Sequence, residues 1–199
     1  MRYSHISIKD NRESEYSPRR ALARLKELAT AGETAREPIP CHGFFEYLFQ
    51  ALRLRIDGDL IAPAFPFRYL SAHEEGTVAV VSLLYASLRR QVSRLDIRAK
   101  NAENYFRIHF CGTPIGEKDG LVFLVGDGES DSAFTLLRAV AKNSGISLSY
   151  AIDEKITVSL CFARYIAEVQ AVGSFDAERK ARVHGYLSHF SSLFCRSFL

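Results

Sequence analysis

The chain has 199 residues, 47% hydrophobic and 25% charged, an ordinary globular composition with room for one domain and appendages. Twenty-six Lys and Arg against 23 Asp and Glu leave a formal charge of +3, too small an excess to mark a nucleic-acid binder. No apolar run approaches the roughly 20 residues that span a bilayer. The polar N-terminus MRYSHISIKDNRESEY lacks the apolar stretch of a signal peptide, so a cytoplasmic protein with no membrane partner is expected. Cys41, Cys111, Cys161 and Cys195 form no CxxC pair, which argues against zinc and for reduced, buried thiols.

In chain order, Ser17 is a natural N-cap and Pro18 a first helical residue, with Ala21, Leu22, Leu25, Leu28 and Ala29 at helical spacing up to Gly32. The stripe is narrow, so this helix is expected to pack on a neighbour or a second subunit. EPIP (37–40) marks a boundary. From Phe44 a second helix carries Phe45, Leu48, Phe49 and Leu52, ended by Asp57-Gly58-Asp59. Leu60 to Tyr69 holds Pro63 and Pro66 and is at best an edge strand. From Thr77 through Val92 apolar residues cover most of the circumference, predicting a central buried helix. Its basic end, Arg89, Arg90 and Arg94, suits the C-terminal dipole.

Leu95–Ala99 and Tyr105–Cys111 read as a hairpin joined across Lys100–Asn104. Phe106, Ile108 and Phe110 alternate with Tyr105, Arg107 and His109. After the loop from Gly112 to Gly116, Leu121–Val125 is a fully apolar strand. A fourth helix follows the loop 126–131 and stops at Gly145. Ile146–Ile152 and Lys155–Arg164 form a last hairpin across Asp153-Glu154. Residues 176–197 form a helix with Val183, Leu187, Phe190 and Phe194 on one side, to be buried on the sheet domain or on a second chain. Gly185 costs that helix about 1 kcal/mol. The order predicts an α+β two-layer sandwich, helices on one face of a mixed sheet, with additional N- and C-terminal helices. The expected organisation is an arm and helix over 1–37, a main domain over 38–166 and a C-terminal helix over 167–199.

Several clusters have plainer readings than chemistry. His5 has no helical context and reads as a surface histidine, and His42 beside Cys41 lacks an orienting Asp or Asn. His109 points away from the Phe110 face. The acidic GDGESD (126–131) lacks calcium-loop spacing and reads as a turn and helix cap. Arg89, Arg90, Arg94, Arg98 and Lys100 form a basic patch without interleaved aromatics, so no nucleic-acid partner is expected.

The element order, with VSLLYASLRR (81–90) followed by a strand, a turn and IHFCGTPIG (108–116), resembles the ATP-binding domain of sensor histidine kinases, a fold shared with gyrase and anti-sigma-factor kinases. The resemblance covers roughly Pro38 to Tyr165. In that family the helix reads N-L-L-x-N-A and the loop D-x-G-x-G-I. The Asn that binds the magnesium on the ATP phosphates falls on Ala86, and a further Asn position falls on Ser82. The Asp that accepts the adenine amino group falls on Phe110. The first loop glycine is kept as Gly112 and the second is Pro114. The glycine-rich phosphate loop falls on Ser130, Asp131, Ser132 and Ala133, with Gly126 and Gly128 just before it. Asp131 would set a negative charge where phosphate belongs. The short stretch from Gly116 to Leu121 leaves little room for a nucleotide lid.

The resemblance with these replacements implies no bound cofactor and lost ATP and magnesium binding. It leaves three functions open. The first is a catalytically inactive kinase-like protein acting through protein–protein contacts in bacterial signalling or regulation, with a response regulator or a second copy of itself as partner. The second is a phosphotransfer protein that docks a response regulator. The third is a nucleotide-binding ATPase or kinase with a diverged site.

Overall fold

In the computed structural model, which describes residues 17–32, 35–52, 69–101, 104–115, 130–165 and 175–193, Ser17 caps α1 (Pro18–Thr30). Its hydroxyl accepts the Arg20 N–H at 3.3 Å. Ala21, Leu25 and Leu28 of α1 are buried, and the helix packs chiefly on α4 (Ser130–Asn143). Asn143 clamps the end of α1, donating its side-chain N–H groups to the carbonyls of Leu28 and Ala29 at 3.1 and 2.8 Å. These are carbonyls that a helix end leaves without intrahelical partners.

EPIP, read as a boundary, is instead the strand β1 (Glu37–Pro40), paired with β2 (Tyr69–Ala72). Its two prolines lack N–H groups, and β1 is an edge strand, where that loss is tolerated. Tyr69, the last residue of the proline-bearing segment, opens β2. The rest of that segment, Asp57-Gly58-Asp59 and residues 121–125, expected as a strand, lie outside the described residues. α2 (Cys41–Ala51) begins directly after Pro40, three residues before Phe44. Its Phe44, Phe45, Leu48 and Phe49 are buried. The Phe45 ring lies 5.3 and 5.4 Å from those of Phe106 and Phe162, joining α2 to the sheet through aromatic contact.

α3 (Glu74–Arg89) is the buried central helix, all but Tyr85 and Arg89 being buried. It ends before Arg94, which belongs to β3 (Val92–Asn101) and pairs with Asp96 at 2.9 Å instead of completing a helix end. β4 (Tyr105–Pro114), β5 (Ile146–Ile152) and β6 (Ile156–Arg164) complete the sheet. The strand path is β1-β2-β6-β4-β3, with β5 on β6. β2 pairs with β6 at residues 163–164 and β5 along 156–162, so they share the edge of β6 opposite β4.

The sheet is not mixed. Every pairing among the described residues is antiparallel. The helical crossovers α3 and α4 link β2 to β3 and β4 to β5, strands that are not neighbours, so neither crossover makes a parallel pair of the strands it joins. Phe106, Ile108, Phe110, Val158, Leu160 and Phe162 are 0% exposed beneath the helices, while the alternate residues face away. The result is an α+β sandwich with helices on one face.

α5 (Ala177–Ser191) is capped by Asp176, whose carboxylate accepts the Arg179 N–H at 2.9 Å. Val183, Leu187 and Phe190 bury against this chain's own core, mainly on α3. Phe194 lies outside the described residues. Among the described residues no helix is long and apolar enough to cross a membrane.

Candidate functional site

Ser82 and Ala86 sit one turn apart on α3, 2% and 6% exposed. The Ser82 hydroxyl is buried with no hydrogen-bond partner among the described residues. Phe110, in the middle of β4, is 0% exposed between Ile97 of β3 and Val158 of β6. Two residues on, Gly112 pairs with Leu95 and Ile156, and Pro114 pairs with Val92. Ser130 and Ser132 lie in the first turn of α4, and Gly126 and Gly128 are outside the described residues.

Gly112 has a local reason to be glycine. β3 spends three residues from Val92 to Leu95 where β4 spends two from Pro114 to Gly112, a β-bulge. A Cβ on Gly112 would stand 2.6 Å from Val92 Cβ and 2.7 Å from the Arg94 carbonyl oxygen. The bulge therefore presses directly onto this backbone position.

Clefts of about 670, 550 and 300 Å³ open on the surface, and their described linings include none of Ser82, Ala86 and Phe110. The smallest includes Gly112. The 550 Å³ cleft lies between α1 and α5, above the carboxylates that begin α3. Glu75 accepts Arg24 Nε and a terminal guanidinium N–H at 2.8 and 2.6 Å. Glu74, its carboxylate 4% exposed, accepts Arg179 and Arg182. These glutamates were not singled out by sequence pattern. The available signal was a pair of acids just before an apolar helix, the position that favours negative charge. Each carboxylate is fully engaged by arginine, so the pair fastens helices and holds no free acid or base.

His42 is exposed, 3.5 Å from Glu46 one helical turn on. Burial pushes the Cys41 thiol far above its ordinary range, the state of an inert core cysteine. His109 lies on the open sheet face, where its Nδ1 is 2.8 Å from the Ser159 hydroxyl. Partial burial, then Arg107 and Lys100, hold its pKa below the ordinary 6.5. This serine–histidine contact was not foreseen from sequence, because it joins residues on two strands. No carboxylate among the described residues orients the ring, so the pair lacks the third member of a nucleophilic triad. No group of three or more His, Cys, Asp or Glu that could hold a metal ion occurs among the described residues. His5 and the GDGESD turn lie outside them, except for the backbone of Ser130 and Asp131.

Neither a protein-family model nor a curated protein matches the sequence. Solved structures do. The histidine kinase AdeS of Acinetobacter baumannii superposes with a TM-score of 0.53 at 12% identity, over 73% of this chain and 76% of that one. The catalytic domain of the histidine kinase ThkA matches at 0.45 and 8% identity, over 66% of this chain and 99% of that one. A histidine kinase of Burkholderia phymatum STM815 matches at 0.43 and 12% identity, over 72% and 75%. At this level of identity the likeness is one of architecture: the chain has the fold of the histidine-kinase ATPase domain.

Proposed function

We propose that this chain is a catalytically inactive relative of the histidine-kinase ATPase domain that acts through contacts with another protein in bacterial signalling or regulation. The observation that carries the reading is Phe110. Where the family's motif sets an adenine-binding Asp, this chain sets a ring that is 0% exposed between Ile97 and Val158. At the position of the family's magnesium-binding Asn stands the methyl group of Ala86. Pro114, at the second loop glycine, fixes φ and removes an N–H that could face a phosphate. A magnesium nucleotide does not fit this set of residues, and no step of chemistry is routed through one.

The phosphotransfer alternative needs a histidine on a helical hairpin. α1, the helix that precedes the sheet domain, carries none. A nucleotide site reshaped beyond the family motif is the reading that the decisive experiment can restore. Calorimetry with ATP and ADP, with and without magnesium, is expected to give no heat of binding at millimolar nucleotide. Binding in the micromolar range would overturn inactivity and return an ATP-dependent switch or kinase to the front.

A further inference from the structure

The sheet face away from the helices is strongly cationic although the whole chain carries only +3. Arg98 stands directly opposite His109, and Lys100 directly opposite Arg107, across β3 and β4. The like charges of Lys100 and Arg107, opposite one another on the sheet, cost stability. Arg98, Lys100 and the nearby Lys155 are exposed and make no ion pair among the described residues. Among the described residues of β3 and β4 on this face the one carboxylate, Asp96, is held by Arg94 at 2.9 Å, and Asp153 and Glu154 are exposed in the turn beside Lys155. Beyond Tyr105 the face runs into the 670 Å³ cleft, whose described lining includes Arg36, Arg138 and Lys142 and no Asp or Glu. Partial burial first, and then Arg107 and Lys100, hold the His109 pKa below its ordinary value.

We propose that this open sheet face is a docking surface for an acidic protein segment, with Asp or Glu carboxylates seated among Arg98, Lys100 and Arg107. The inference deepens the protein-contact reading above and rests on it. Guanidinium groups take carboxylates in paired, charge-assisted hydrogen bonds, and the Thr157 and Ser159 hydroxyls lie on the neighbouring strand. A single-stranded nucleic acid would need free aromatic faces for its bases. Tyr105 of this face is already covered by the Arg107 guanidinium, 5.0 Å from its ring centre.

The test measures binding of a fluorescently labelled Glu-rich peptide to the intact chain by anisotropy at low and physiological salt. The variant Arg98→Glu/Lys100→Glu/Arg107→Glu is compared with Arg19→Glu/Lys26→Glu/Lys180→Glu, which makes the same change of net charge on exposed helix positions. The sheet variant is expected to lose at least about tenfold in affinity and the helix variant less than about twofold, since direct contacts outweigh the overall field. Should the triple variant fail to fold, Lys100→Glu alone is read for a smaller loss of the same sign. No peptide binding, equal losses in the two variants, or tighter binding of oligo-dT than of peptide would overturn the proposal. If calorimetry finds no nucleotide binding, such a failure retires this surface and leaves the protein-contact reading standing. Micromolar ATP binding overturns both.

Discussion

Arg179 of α5 donates its Nε–H to Glu74 of α3 at 2.5 Å, and the two side chains are only 11% and 4% exposed. Arg179 also donates to the Pro38 carbonyl at 3.0 Å, so one guanidinium joins the C-terminal helix, the edge strand and the central helix. Arg24 of α1 does the corresponding work on Glu75. Both carboxylates sit in the first turn of α3, where the helix dipole favours them. Glu74→Ala leaves Arg179 buried without its counter-charge and is expected to cost about 3–5 kcal/mol. Arg182→Ala removes a partner that is 43% exposed and should cost about 1 kcal/mol or less. Urea unfolding of the two variants checks the contrast. Equal losses would mean that Glu74 is solvated in the native state.

The Phe110 ring fills space under the helices, so Phe110→Ala is expected to destabilise the fold by about 3–5 kcal/mol through lost burial and a residual cavity. The same variant should gain no affinity for ATP, because an emptied apolar space supplies no hydrogen-bond acceptor for an adenine amino group. Denaturant unfolding and calorimetry on one sample check both halves. A neutral unfolding result would show that the ring lines open space.

Two glycines should respond in opposite directions to the same substitution. Gly112→Ala places a methyl group against Val92 Cβ and the Arg94 carbonyl, and overpacking of this kind costs about 1–3 kcal/mol. Gly185, inside α5, faces open space: apart from its chain neighbours and its own helix backbone, no atom lies within 4 Å of where a Cβ would stand. Gly185→Ala should stabilise by about 0.5–1 kcal/mol through helix propensity. Thermal melts of the two variants decide it. A stabilised Gly112→Ala would mean that the β3 bulge relaxes freely.

Much of this architecture was legible because one-dimensional period reports burial. The alternation through Phe106, Ile108 and Phe110 and the all-round apolar pattern of α3 each place their residues correctly. What period cannot report is pairing direction. The strand run looked compatible with a mixed sheet, and only the spatial order shows that α3 and α4 cross between non-neighbours. EPIP looked like a break because proline is usually one, and its place at a sheet edge is a tertiary fact. Ser82, Ala86, Phe110, Gly112 and Pro114 were named from a family pattern, while the engaged glutamates and the His109–Ser159 contact went unnamed. The last two are made by residues far apart in sequence, through side chains whose meeting no local spacing encodes.

Lys100 facing Arg107 is a cost that the fold carries for its open face. Lys100→Glu turns that repulsion into an attractive cross-strand pair and is expected to stabilise the native state by about 0.2–1 kcal/mol. Improved stability at a position that weakens peptide binding is the usual sign of a functional trade-off. A melting temperature that falls in Lys100→Glu would show that the lysine stem, rather than its charge, matters to packing.

His109 makes the open face sensitive to pH. Its pKa in the folded chain is below the ordinary 6.5, first through partial burial and then through Arg107 and Lys100. Arg98 faces it from β3 and Ser159 from β6. Between the lowered native value and 6.5 the unfolded chain binds more protons at this residue than the folded chain does. The His109 contribution to stability therefore rises with pH across that window and is lost as pH falls through it. His109→Gln should flatten this part of the stability profile, measured as urea midpoints between about pH 5 and 8. An acidic peptide on the face would offset the positive field and raise the native pKa, so the slope should shrink when peptide is present. A slope that survives His109→Gln would assign the pH dependence to another group, and one unchanged by peptide would place the carboxylates away from His109.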